Sequence, residues 1–239
     1  MLYLIGLGLN TKGITAEGID AIKVCKKIYL ENYTVDFPYS LGELNETIDR
    51  KMVPAGRNFI ESMKIIDEAK KMNVALLVYG SPLTATTHIS LVDEAKKTGI
   101  KCKIIYSASI IDAVGETGLQ IYKFGKITSM PAWNERKNFA PDSFIKIILE
   151  NQSIKAHSLI LIDIGLEFKD ALKQLICSSE KEKLRLDKII VCQCLGTRNQ
   201  RIFYKNINSF KEYSELKKPY CIIIPGELHF VEKEILESF

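Results

Sequence analysis

The chain has little that would place it in a membrane or on nucleic acid. Its longest apolar runs, such as Ser158–Ile162, have the length of a strand, far short of the ~20 residues that a membrane-spanning helix needs. Its 33 basic and 29 acidic residues leave a net charge of only +4, and the basic residues are scattered instead of concentrated on one surface. The opening segment Met1–Ile5 lacks the basic stretch of a signal peptide. We therefore expect a cytoplasmic protein that binds neither membrane nor nucleic acid.

The residue spacing of common metal sites is absent as well. The six cysteines include no C-x-x-C pair, and no histidine stands at ligand spacing from them. Cys192 and Cys194 would share one face of a strand, which is an arrangement open to a metal. Reduced, buried thiols of a cytoplasmic protein explain the pair better. We predict no metal ion in this protein.

Nucleotide-binding signatures are incomplete. Gly6 and Gly8 open a G-x-G-x-x-G pattern, but Thr11 stands where the third glycine belongs, and no Walker loop is present. A tight turn that lets two backbone segments pass closely is the simpler interpretation of these glycines.

Short β-rich runs alternate with helical patterns along the chain, which predicts an α/β fold with a largely parallel sheet. A Gly-rich segment at 115–118 interrupts the alternation, so we predict two α/β domains, 1–114 and 115–239. The predicted strands are Leu2–Leu7, Val74–Tyr79, Lys101–Tyr106, Ile127–Met130, Leu159–Ile164, Lys188–Cys194, Arg201–Tyr204 and Cys221–Ile224. The predicted helices are Thr15–Lys26, Asn58–Lys71, Thr84–Lys97, Pro141–Glu150, Phe168–Ile176 and His229–Leu236.

Several predicted strands end in small or polar residues, and ligands of open α/β sheets bind beyond such strand ends. These ends are Gly6–Leu9, Gly80–Pro82, Ser107–Ile110, Ile162–Gly165 and Cys194–Thr197. They are the candidate ligand-binding segments, with Pro219–Gly226 as a sixth that would flank the same cleft.

The strand end at Gly80 opens a longer and more specific candidate segment, Gly80–His88, which reads Gly-Ser-Pro-Leu-Thr-Ala-Thr-Thr-His. It resembles the Gly-Asp-Pro-x-x-Ala-Thr-Thr-His signature of the diphthine synthase family. Matching segments spread over the chain, with gaps at 34–57 and 166–187. They are Leu2–Leu9, Thr15–Gly18, Ala108–Ile110, Ala113–Gly115, Thr117–Leu119, Ile121–Gly125 and Pro225–His229.

This resemblance implies a tetrapyrrole methylase-like fold with the active cleft between two α/β domains, usually as a homodimer. It implies an S-adenosylmethionine-dependent methyltransferase that acts on the amine of an aminocarboxypropyl-modified histidine of translation elongation factor 2, in diphthamide biosynthesis. It leaves the number of transferred methyl groups open. By the same resemblance, the cofactor-contact positions are Leu9, Ser81, Thr84, Ser109, Ile110, Ile162, Leu195 and Tyr220. All of them lie on the candidate segments.

Two positions depart from the family pattern. Ser81 stands where the family has an aspartate, and Gln193–Thr197 replaces the family's Ala-Arg-x-Gly-Ser, so that a carboxylate and an arginine are missing. Two alternatives to the assigned activity follow. One is a binding protein of the same fold that retains the cofactor without turnover. The other is a methyltransferase that acts on a tetrapyrrole, which the Ala-Thr-Thr-His match disfavours.

No side chain has to act as a general base, because transfer from a sulfonium needs a neutral amine held in line with the departing sulfur. We therefore assign no catalytic residue. His88 and His229 are open equally to a catalytic and a structural role, whereas His157 precedes a buried strand and is interpreted as structural. Asp163 is open to orienting the substrate or cofactor or to capping a turn at a strand end, and the turn is favoured. Trp133 and the run 134–137 are open to a role in recognising a protein substrate, although a surface loop is favoured.

Overall fold

The computed structural model describes residues 1–213 and 216–239 and divides the chain into two compact units, Met1–Ile110 and Ile111–Phe239. Each unit is built around its own five-stranded sheet, so the α/β class is confirmed. The separate roles assigned to the predicted domains 1–114 and 115–239 stay predictions.

The first unit has a sheet of strand order β3-β2-β4-β1-β5, and every pairing in it is parallel. Its strands are β1 (Leu2–Gly6), β2 (Lys27–Glu31), β3 (Val53–Ala55), β4 (Val74–Val78) and β5 (Cys102–Ile105). Its helices are α1 (Ala16–Lys23), α2 (Leu41–Ile48), α3 (Arg57–Glu61), α4 (Lys64–Lys71) and α5 (Ile89–Lys97), and α6 (Ile110–Ala113) follows at the division between the units.

The central strand β4 shows why this sheet forms. All five of its side chains are fully buried, as is typical of a parallel strand covered by helices on both faces. Helix α1 begins as expected, because the Thr15 hydroxyl accepts a hydrogen bond from the Gly18 amide at 3.1 Å and thereby satisfies one of the free donors of the first turn.

Two helix predictions in this unit are wrong. The helix predicted from Thr84 begins only at Ile89, because the Pro82 carbonyl is taken by the Thr86 hydroxyl and the His88 ring, and Ala85 has a left-handed φ of 54°. The predicted helix Asn58–Lys71 is broken into α3 and α4 at Met63, whose φ is 57°. The elements β2, α2 and β3 were not predicted at all.

The second unit has a sheet of strand order β6-β7-β10-β8-β9. Its strands are β6 (Thr128–Met130), β7 (Ser158–Ile162), β8 (Lys188–Gln193), β9 (Arg201–Asn206) and β10 (Tyr220–Ile224). Its helices are α7 (Ser143–Ser153), α8 (Phe168–Lys181) and α9 (Phe230–Leu236). A largely parallel sheet was expected, and for this unit that expectation is wrong. Among the described strands of this sheet, only β6 and β7 pair in parallel. The loop 194–200 between β8 and β9 reverses the chain, and β10 runs antiparallel to both of its neighbours.

Helix α8 continues to Lys181, beyond the predicted end at Ile176. Its last turns keep Ser178 and Ser179 buried, so packing extends the helix beyond the predicted end. In the portion of the chain that the structure describes, no helix is long and apolar enough to cross a membrane.

Candidate cofactor site at the strand ends

Two strand ends of the first unit lie directly against each other. Beyond β1 and β4, Gly8 and Gly80 form an antiparallel bridge, with the Gly8 amide donating to the Gly80 carbonyl at 3.1 Å and the Gly80 amide to the Gly8 carbonyl at 3.0 Å. The Ser107 segment beyond β5 also approaches, and its hydroxyl donates to the Gly13 carbonyl at 2.8 Å. The carboxyl ends of three neighbouring strands therefore meet at one place.

The glycines are required by this close approach. A Cβ atom on Gly6 would lie 2.6 Å from the Gly80 carbonyl oxygen. Gly8 has a φ of +68°, and a Cβ there would lie 2.9 Å from both the Gly13 carbonyl oxygen and the Ser107 hydroxyl. The interpretation of these glycines as a tight passage of backbone is thus confirmed.

Four of the predicted cofactor residues lie around this crossing. Leu9, Ser81 and Ser109 are buried. The Leu9 carbonyl accepts from the Tyr79 hydroxyl at 3.2 Å, and the Thr84 amide donates to the Ser81 carbonyl at 3.1 Å, which closes the turn. Ser109 lies next to Gly80, since a Cβ atom on Gly80 would lie 3.8 Å from the Cα atom of Ser109. The fifth residue of this unit, Ile110, begins α6.

The other three predicted cofactor residues lie where the inner strands β7, β10 and β8 of the second sheet begin or end on the same side. Because β10 is antiparallel to β7 and β8, its first residue Tyr220 continues the register beside Ile162 on one side and pairs with Gln193 on the other. Leu195 follows β8 after Cys194, which has a left-handed φ of 48°. The three residues therefore lie side by side at these strand ends.

The Tyr220 side chain itself packs in the core of the second unit. Its hydroxyl donates to the Leu166 carbonyl at 3.0 Å, and its ring packs edge-on against Phe168 with the centroids 5.6 Å apart. A cofactor contact at this position therefore involves the backbone more readily than the phenol.

Two of the three histidines have structural roles. His157 is fully buried, its Nδ1 accepts from the Gly226 amide at 2.8 Å, and its Nε2 therefore carries the proton and donates to Glu232 at 3.2 Å. His229 is the N-cap of α9, and its Nδ1 accepts from the Val231 amide at 3.4 Å. The structural interpretation of His157 is confirmed.

His88 is the third histidine, and it does not lie one turn into a helix, as the sequence suggested. It is the N-cap residue of α5 and is fully buried. It faces a group of residues that sequence reasoning missed because β2 was missed, namely Glu31 and Tyr33 at the end of that strand. The polar run that follows the apolar Ile28–Leu30 was the available signal for these two residues.

Asp163 and Trp133 are both held by local contacts. The Asp163 carboxylate accepts from the amides of Ala132 and Ile164 at 3.3 and 3.0 Å, which supports its interpretation as a turn residue. The Trp133 indole donates to the Pro141 carbonyl at 3.1 Å and thus closes its own loop. No cluster of metal-ligating side chains occurs within the described ranges.

Comparison with known proteins agrees with this architecture. Residues 1–210 match the family model of the tetrapyrrole (corrin/porphyrin) methylases. The diphthine methyl ester synthase of Candida glabrata is 36% identical, with 100% of this chain and 90% of that protein covered. The diphthine synthase of Methanocaldococcus jannaschii is 35% identical, with 99% and 98% covered. A crystal structure of a diphthine synthase superposes with a TM-score of 0.90 at 30% identity and covers 100% of this chain and 95% of that one.

The chain therefore belongs to the family of the tetrapyrrole methylases, and its two-sheet α/β architecture agrees with that assignment. Within the family it is a member of the diphthine synthases, and so it is an S-adenosylmethionine-dependent methyltransferase of diphthamide biosynthesis.

Proposed function

We propose that this protein transfers methyl groups from S-adenosylmethionine to the amine of the aminocarboxypropyl-modified histidine of translation elongation factor 2. The observation that carries the proposal is the match to diphthine synthases and diphthine methyl ester synthases over essentially the full chain. The crossing of Gly8 and Gly80 supports it physically, because it brings proposed cofactor residues from neighbouring strand ends together, where ligands of open α/β sheets bind.

The proposed cofactor residues divide by chemistry. Ser81, Thr84 and Ser109 offer hydroxyl and amide groups to the polar ends of the cofactor, and Leu9, Ile110, Ile162 and Leu195 offer apolar contact. Tyr220 contributes its backbone. The cofactor supplies an electrophilic methyl group, and the protein has to hold the amine ~3–3.5 Å from it and in line with the sulfur. Exclusion of water from the amine favours its neutral, reactive form.

Ser81 offers a direct test of this arrangement. We expect Ser81→Asp to bind S-adenosylmethionine roughly 10-fold more tightly, because a hydrogen bond to a carboxylate contributes about 1.5–3 kcal/mol against about 1 for a neutral hydroxyl. Titration calorimetry measures the change. Ser90→Asp is the matched control, since Ser90 is exposed at the start of α5. Equal affinities of Ser81→Asp and wild type for S-adenosylmethionine would show that residue 81 does not contact the cofactor.

The function itself is tested with labelled S-adenosylmethionine and elongation factor 2 that carries the aminocarboxypropyl-histidine. We expect label on that histidine, and mass spectrometry of the modified peptide then counts the methyl groups. That count is informative because the relatives include both diphthine synthases and diphthine methyl ester synthases. Cofactor binding without label on the factor would favour the binding protein, and label on a corrinoid precursor would favour a tetrapyrrole substrate.

The proposal extends to assembly and location. A homodimer is proposed from the family resemblance, and sedimentation at micromolar concentration tests it. A cytoplasmic location follows from the proposed substrate, which is a translation factor.

A further inference from the structure

A group of polar side chains is buried at the end of β2. Glu31 is 1% exposed, and its carboxylate accepts from the Tyr33 amide at 2.7 Å and from the Thr34 hydroxyl at 2.6 Å. Within the described ranges it makes no ion pair. A buried carboxylate without a cationic partner is costly, so this site is suited to receiving a positive charge.

His88 faces this carboxylate as a neutral base. Its Nδ1 lies 3.2 Å from the Pro82 carbonyl oxygen. Because a carbonyl only accepts, Nδ1 carries the ring proton and Nε2 is left as a bare acceptor. Burial lowers the pKa of His88, against the opposing effects of the Pro82 hydrogen bond and the Glu31 charge, so the imidazole is neutral at pH 7.

One polar atom of this group lacks a partner. His88 Nε2 is buried and is hydrogen-bonded to no described residue, whereas the Tyr33 hydroxyl interacts with the Thr87 side chain. The rings of Tyr33 and His88 meet edge to face with their centroids 6.4 Å apart. Buried polar atoms are nearly always satisfied, and an unmet ring nitrogen of this kind indicates a missing donor.

The chemistry of that partner follows from the atoms present. Nε2 can only accept, the phenol oxygen can accept, and Glu31 supplies a negative charge. The remaining charges nearby are Arg57, which lies 5.0 Å above the Tyr33 ring, and Glu61, which pairs with Arg57 at 3.5 Å. An ammonium group has three donors, no acceptor and one positive charge, so it complements this set.

The geometry points to Glu31, Tyr33 and His88 as the site that holds the substrate's ammonium group, with His88 Nε2 as the atom that receives its proton. This inference rests on the proposed function, since that reaction needs an amine in its neutral form. It also places the amine near the crossing, because His88 is tied to Pro82, which follows directly on Ser81.

The reaction balances without a further reactant. The ammonium gives one proton to His88 Nε2 and becomes a neutral amine. Its lone pair then forms the new N–C bond while the methyl–sulfur bond breaks and leaves its electron pair on sulfur. His88 returns the proton to solvent before the next transfer. A primary amine has a pKa near 10 in water, and burial lowers it, toward that of an imidazole whose protonated form a carboxylate stabilises.

His88→Asn tests the base, because its amide can still donate to the Pro82 carbonyl while Nε2 is lost. We expect kcat/KM for the modified elongation factor to fall roughly 100-fold, the acid limb of the pH profile to disappear, and cofactor affinity to stay as in wild type. Thr86→Val is the matched control, because it removes the other hydrogen bond to Pro82 and leaves the imidazole. It should keep the acid limb.

Glu31→Gln gives a signature that a structural role would not produce. Glu31 favours the protonated imidazole, so its neutralisation should lower the pKa of His88 and move the acid limb to lower pH. A wild-type profile in both His88→Asn and Glu31→Gln would overturn the inference and leave His88 as a residue that only fixes Pro82.

A second measurement does not depend on turnover. The chain has three histidines, so the imidazole nitrogens can be resolved by NMR of the 15N-histidine protein, with His88→Asn as the assignment control. L-2-aminobutyrate, which carries the same amine and carboxylate as the aminocarboxypropyl arm, should shift the His88 Nε2 resonance and leave that of His157 unchanged. An unchanged His88 resonance would refute the ammonium site even if elongation factor 2 is methylated. A shifted resonance in a protein that does not methylate the factor would support the site and refute the proposed function.

Discussion

Replacement of Glu232 by glutamine should destabilise the protein by about 3 kcal/mol, since removing one charge from a buried ionic network leaves its partners uncompensated. Glu232 is fully buried at the start of α9. Its carboxylate accepts four hydrogen bonds, from Lys123 Nζ at 2.5 Å, His157 Nε2 at 3.2 Å and the amides of Gln120 and His229 at 3.0 and 2.7 Å. Three separate segments of the second unit are thus held together by one side chain.

The pH dependence of this effect has a defined sign. Burial alone would raise the pKa of the Glu232 carboxyl, but the hydrogen bonds from Lys123, the two amides and His157 outweigh it and lower the pKa to about 2 from its usual 4.5. A carboxyl with a lowered folded-state pKa contributes stability above its unfolded pKa and loses it as the pH falls toward the folded one. The difference between wild type and Glu232→Gln should therefore be full at pH 7 and shrink between pH 4.5 and 2.

Urea unfolding at a series of pH values measures this difference. Glu234→Gln on the same helix is the matched control, because Glu234 is exposed, and it should change the free energy of unfolding by less than about 0.5 kcal/mol. A loss of equal size in both variants, or one independent of pH, would contradict the assignment of the network to Glu232.

The second large effect is expected at the strand crossing. Gly8→Ala places a side chain at a φ of +68° and 2.9 Å from the Gly13 carbonyl oxygen and Cα. Both neighbours are backbone atoms that cannot rotate away, so the chain around residues 8 and 13 has to shift. We expect a loss of about 2 kcal/mol in stability and at least a 10-fold loss of S-adenosylmethionine affinity.

Calorimetry and thermal unfolding measure these two effects. Gly42→Ala in α2 is the same exchange at a place with room, where the nearest atom is a side-chain oxygen 3.7 Å away, and it should be neutral or slightly stabilising. Wild-type cofactor affinity in Gly8→Ala would show that the crossing is not part of the cofactor site.

The sequence predicted those elements whose local pattern and final environment agree. Strand β4 is a continuous apolar run in a fully buried position, and Thr15 caps the helix that it precedes. Strand β2 was missed because Lys27 and Glu31 at its ends mask a short apolar centre. The early start assigned to α5 failed because side-chain donors compete for the Pro82 carbonyl, which is visible only once the turn is folded.

The strand directions in the second sheet could not be predicted from the local sequence pattern either. The pairing of β10 with β7 joins Cys221 to Leu161, a choice made by packing across a long stretch of chain. The candidate site likewise has one part that the sequence predicts and one part that it does not. Its glycines and hydroxyl residues are visible as motifs, whereas the group of Glu31, Tyr33 and His88 exists only through contacts between β2 and the turn that precedes α5.

The central place of β10 in its sheet has a consequence for how the protein is made. This strand follows β6–β9 in the chain, yet it lies between β7 and β8. While the ribosome is still synthesising the chain, β7 and β8 therefore expose unpaired edges, and the core of this unit stays open until β10 emerges. The first unit, whose five strands are all translated earlier, can complete its sheet before then. The nascent protein thus passes through a stage with one finished and one unfinished sheet, and this stage is its period of greatest exposure to aggregation.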